Sequence, residues 1–88
     1  MTFIEPVSIE EKKDFTKNLG VMLKSGMAIH DALDVVGEQA RSSLFRKVIL
    51  RVRERIIAGE SFANAVRREE KYFGRIAISI INAGEQSG

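Results

Sequence analysis

His30, Asp34 and Glu38 recur at i, i+4 and i+8, so a helix through them sets an imidazole and two carboxylates in one row. Nitrogen and oxygen donors in that arrangement could take a divalent cation. The plainer reading is a solvated acidic face. The single histidine has no nucleophile partner, so it does not make a catalytic base. A second row, Lys47, Arg51 and Arg55, repeats the same spacing with positive charge, and Arg67, Arg68 and Lys71 follow it. Such a cluster can hold phosphates or an acidic protein surface. Aromatics are scarce, Glu54, Glu69 and Glu70 interrupt the charge, and no helix-turn-helix spacing stands out. Among binding readings, an acidic protein therefore ranks above nucleic acid, and a solvated face is the bland alternative. These side chains lie outside the main apolar arc, so reversing their charge is expected to leave folding stability nearly unchanged. Gly84 and Gly88 do not make a phosphate loop, because no strand precedes them and no Lys-Ser/Thr pair follows. No catalytic residue, metal-ligand set or cofactor site is assigned.

The elements that position these rows are read from composition and periodicity. The 88 residues suit one domain, 44% hydrophobic and 30% charged, as in an ordinary soluble helical protein. With no cysteine, disulfides and thiolate metal sites are excluded. Apolar runs are too short to span a bilayer, and the start carries Glu5 where a signal peptide needs a basic region. The net charge of +2 hides an asymmetry. Residues 1–40 hold four basic and seven acidic groups, a balance of −3, and residues 41–75 hold ten and four, a balance of +6. Such polarity favours an oriented electrostatic partner or head-to-tail self-contact.

Five short helices packed as an antiparallel bundle are expected. After a lead-in over residues 1–7, Ser8 and Glu11 form a capping box. The helix they open buries Phe15, Leu19, Met22 and Leu23, with Lys12, Lys13 and Lys17 elsewhere around it, and Gly26 supplies a left-handed stop. A second helix over about 28–40 buries Ile29, Ala32, Leu33 and Val36, and its short hinge implies a helical hairpin. The third, capped by Ser42 or Ser43 and ended by Gly59, buries Phe45, Val48, Ile49, Val52 and Ile56. Leu50 and Ile57 form a second ridge on another side, flanked by Arg46 and Arg53, and offer a homodimer patch. Ser61 caps a fourth helix using Phe62, Ala65 and Val66, and residues 72–74 bend the chain. Between Ile76 and Ala83 only Ser79 and Asn82 are polar, so a helix there should sit at the centre of the bundle, with Ile80 buried on all sides. Residues 84–88 should then end it through a left-handed cap and expose Glu85, Gln86 and Ser87.

With these elements in place, residues 15–88 resemble the cytoplasmic domain of the secretion-system F and pilus-platform family. Those are inner-membrane platform proteins of type II secretion and type IV pilus systems. The likeness rests on Phe15, Leu19 and Leu23 leading to Ser25-Gly26, on Ala32-Leu33, on Gly59 and Ser61 followed by Ala65, and above all on Ala83-Gly84-Glu85-Gln86-Ser87-Gly88. It is similar to an Ala-Gly-Glu-x-Ser-Gly signature. Two departures stand out: Ala28 and Gly74-Arg75 occupy places where family members often carry proline. The resemblance implies a non-enzymatic scaffold, a fragment of a longer inner-membrane protein with this domain on the cytoplasmic side. It also implies a cytoplasmic assembly ATPase as partner, alongside other inner-membrane components. The alternative is a small basic helical domain that binds nucleic acid.

Overall fold

The computed structural model describes residues 6–85, and their regular structure is entirely helical. Helix α1 spans Ile9–Lys24, α2 Ile29–Gln39, α3 Ser43–Ile57 and α4 Phe62–Arg67. A single turn, α5, covers Glu70–Phe73, and a 3-10 turn over Gly74–Ile76 leads into α6, Ala77–Glu85. The expected all-α bundle is observed.

Local sequence sets most boundaries. The hydroxyls of Ser8, Ser42 and Ser61 accept hydrogen bonds from the backbone N–H of Glu11, Phe45 and Asn64, each filling a donor that a helix start leaves open. Gly26 and Gly59 sit just past α1 and α3 at φ of 98° and 104°. Around Gly26 the N–H of Met27 donates to the Met22 carbonyl, and around Gly59 that of Glu60 donates to Arg55, closing both helices with the wrap that only glycine adopts without strain.

α1 and α2 run antiparallel, as the short hinge required: Asn18 on α1 meets Gln39 near the end of α2 at 3.2 Å. α2 and α3 also run antiparallel, with Asp34 beside Arg53 and Gly37 against Ile49. Gly37 is buried at that contact, where a Cβ would meet Ile49 at 3.5 Å, an ordinary van der Waals distance. The centre of the core is aromatic. Phe15 of α1, Phe45 of α3 and Phe73 of α5 pack with ring centroids 5.4 to 5.8 Å apart, two of the pairs edge-on.

This moves the centre away from α6. Ala77, Ile80 and Ile81 are buried against α1 and α4, with Ile80 fully enclosed, but Ile78 is 71% exposed. The helix is a one-sided cover, because α1 and α4 reach only one flank of it. Gly84 also departs from expectation. It lies inside α6, and a Cβ there would overlap the Phe62 ring, so it serves close packing on α4 rather than a left-handed stop. Gln86, Ser87 and Gly88 of the expected cap lie outside the described residues. Lys12, placed around α1 away from its apolar residues, is only 3% exposed, and Val7 of the lead-in belongs to the core.

Candidate functional site

The outward side of α3 carries the residues that the sequence singled out. Its first turn is fixed from a distance. The Glu11 carboxylate on α1 accepts from the backbone N–H of Arg41 and Ser42 and from the Ser42 hydroxyl, at 2.8 to 2.9 Å. The expected capping box is therefore half a box: Ser8 caps α1, while Glu11 ties α1 to the α2–α3 turn. Burial pushes the Glu11 carboxyl up, but the Ser42 bonds and the neighbouring Arg41 outweigh that and hold it below its ordinary value.

Further along α3 the basic row divides. Arg51 grips Glu69 with both arms of its guanidinium, Nε to Oε2 at 2.9 Å and Nη2 to Oε1 at 2.8 Å, and Arg55 Nη1 adds a third bond at 2.5 Å. Glu69 is 3% exposed, so this is an enclosed carboxylate between two cations at the corner joining α4 to α5. Burial pushes its carboxyl up, but the bonds from Arg51 and Arg55 prevail and lower it. Arg51, bonded to Glu69, is raised in turn, and its guanidinium also lies 5.5 Å from the Tyr72 ring centre. Glu60 extends the network to Arg55 and Arg68. The expectation that reversing Arg51 and Arg55 would leave stability unchanged is thus overturned, because a glutamate in place of either would face buried Glu69. Lys47 is exposed and makes no ion pair or hydrogen bond among the described residues.

Leu50 and Ile57 form a separate ridge of α3, turned toward α2 rather than toward Glu69, and are 43% and 56% exposed. A shallow groove of about 400 Å³ runs beside Leu50, lined by Asp34, Gly37, Glu38 and Arg46. Arg46 donates to the Gly37 and Ala40 carbonyls, closing the end of α2. The acidic row does not gather into a metal centre. Asp34 is paired with Arg53, His30 turns to Asp31 at 3.4 Å, and no group of three or more ligating side chains forms among the described residues.

Sequence reasoning missed the two carboxylates that matter most here. In the sequence Glu69 reads as an interruption of positive charge, and its link to Arg51 and Arg55 spans 18 and 14 positions with no periodic trace. Glu11 had a local role ready in the capping box, which masked the distant one. Among the residues carrying the family likeness, Gly26 and Gly59 end helices, Gly84 packs on Phe62 and Glu85 is exposed; Ser87 and Gly88 are outside the described residues.

The pattern of helices and glycines has a counterpart among known families. The family model described as type II secretion system (T2SS), protein F matches residues 15–88. The chain belongs to that family. Among relatives, the type IV pilus assembly protein PilC of Pseudomonas aeruginosa is 30% identical over 74 residues, 84% of this chain and 20% of the relative. PilC of Thermus thermophilus is 31% identical over 74 residues, covering 84% and 18%. The type II secretion system protein F of Aeromonas hydrophila is 29% identical over 86 residues, covering 98% and 22%. The chain spans about a fifth of the length of these relatives. No solved structure gives a significant match. No helix among the described residues is long and apolar enough to cross a membrane.

Proposed function

We propose that this chain is a non-enzymatic scaffold domain of an inner-membrane platform protein, lying on the cytoplasmic side. There it couples a cytoplasmic assembly ATPase to growth of a pilus or pseudopilus. The observation that carries this reading is the family match over residues 15–88, joined to relatives named for type IV pilus assembly and type II secretion. α3 supplies the docking face. Lys47 has no partner among the described residues, the Arg51 side chain is 42% exposed despite its hold on Glu69, and Leu50 adds exposed apolar surface next to Lys47, with Ile57 further round the helix. A partner with acidic groups around a small apolar patch fits that mixture, and charge of this kind acts mainly on association rate. The Leu50–Ile57 ridge also offers contact to a second copy of the chain.

The test uses Lys47→Glu, because Lys47 has no partner among the described residues and its reversal reports docking rather than folding. Binding to purified assembly ATPase is measured beside binding to duplex and single-stranded nucleic acid. Slower association with the ATPase, fading as salt rises, supports the reading. ATPase binding equal to wild type removes the docking face, and tight nucleic-acid binding without ATPase binding removes the scaffold. Leu50→Asp separates the homodimer: sedimentation should shift toward monomer if that ridge pairs two copies.

A further inference from the structure

The outer face of α1 carries free positive charge and exposed apolar side chains together. Ile9, Lys13, Lys17, Val21 and Lys24 fall within about a third of the helix circumference, away from the Phe15–Leu19–Leu23 side that enters the core, with half-buried Gly20 among them set against Ala83 of α6. Ile9 is 52% and Val21 61% exposed, among the largest apolar exposures of the described residues. Lys13, Lys17 and Lys24 are exposed and have no ion pair or hydrogen bond among the described residues. Among the described residues Glu10, at the helix start, is the acidic group on this side; Asp14 lies at its margin and is held by Arg41 at 3.1 Å. Just past the helix, Met27 adds further partly exposed apolar surface.

We propose that this face of α1 lies along an anionic lipid surface. The composition separates that occupant from an acidic protein. Protein interfaces concentrate energy in clustered aromatic and arginine anchors and are depleted in lysine, whereas this strip has neither aromatic nor arginine. Its two apolar residues stand about 18 Å apart along the helix axis, too far to share one pocket but well placed on a plane. Lysine suits a headgroup layer: its alkyl stem can lie over apolar surface while the hydrated ammonium stays among phosphates. A basic face interleaved with apolar residues is the pattern of helices that rest in a membrane interface. The contact is weak and reversible, and it orients the domain rather than anchoring it. It rests on α1 alone and does not depend on the docking proposed for α3.

The test is co-sedimentation of the 88-residue chain with vesicles at low ionic strength, where surface charge acts most strongly. Vesicles of phosphatidylcholine alone are compared with vesicles containing phosphatidylglycerol. The chain should bind the phosphatidylglycerol vesicles and not the neutral ones. The combined variant Lys13→Gln, Lys17→Gln, Lys24→Gln should lose binding by about a hundredfold, since each lysine near such a surface contributes roughly fivefold. A charge-matched control, Arg67→Gln, Lys71→Gln, Arg75→Gln, should retain most of it. Ile9→Ser with Val21→Ser should weaken binding while leaving its dependence on phosphatidylglycerol. Equal losses in the two charge variants would reduce the effect to net charge and overturn the proposal. So would the absence of vesicle binding, or a lysine variant that binds vesicles normally yet loses an acidic protein partner.

Discussion

On α3 the cations are mostly arginines, and each guanidinium there has an internal partner; on the outer face of α1 the cations are lysines, and none has one among the described residues. Arg46 closes α2, Arg51 and Arg55 enclose Glu69, and Arg53 meets Asp34. A planar fork that holds two acceptors at once suits a fixed carboxylate, while a strongly hydrated ammonium on a flexible stem suits an open surface. The sequence assigned its external role to the arginine row because charge density is highest there. Much of that density is matched inside the fold. Arg41–Asp14 and Arg53–Asp34 join the positive stretch to the negative one, so part of the asymmetry is internal complementarity.

If the arginine side is structural, removing its central carboxylate should have the largest effect. Glu69→Ala leaves the partly exposed guanidiniums of Arg51 and Arg55 facing each other without their shared buried carboxylate, and a loss of about 3 kcal/mol in urea unfolding, the low end for a broken buried ion pair, is expected. Glu11→Gln comes next. It weakens three hydrogen bonds to one charged group, for an expected loss of about 1.5–3 kcal/mol. Both carboxyls sit below their ordinary values in the folded chain, so their contribution is complete above the ordinary carboxylate range and disappears as pH falls through the lowered values. Acid titration of unfolding should therefore show stability falling below about pH 4.3, with a smaller fall in either variant.

A contact without charge sharpens the comparison. Gly84→Ala forces Phe62 to shift and should cost about 1–3 kcal/mol with no salt dependence. Gly26→Ala meets no neighbouring atom, and its expected loss of about 1–2 kcal/mol comes from backbone strain alone. Thermal melts at low and high salt check both.

Residues whose partners are near in sequence were legible, and those whose partners are distant were not. Ser8, Ser42, Ser61, Gly26 and Gly59 act within four positions of themselves, so their roles as caps and stops followed from spacing. The apolar arcs of α1, α2 and α3 also held, with Met22, Ile29 and Ile56 packed on the core but only partly buried. Glu11, Glu69 and Gly84 depend on where other helices come to rest, and no periodicity encodes that. The run from Ile76 misled for a related reason: hydrophobicity around a helix shows what can be covered, not what neighbours are available to cover it. Ile78 remains open because α1 and α4 lie on the opposite flank.

The division between the two cationic faces is tested most directly by neutralising each in the same experiment. Urea unfolding compares Arg51→Gln with Arg55→Gln against Lys13→Gln with Lys17→Gln, two charges removed in each double variant. The arginine pair should lose about 3–5 kcal/mol, because Glu69 is left buried without a counter-charge. The lysine pair should stay within about 0.5 kcal/mol of the parent for each substitution. Equal and small losses in both would contradict the account, since the arginines would then be as free as the lysines.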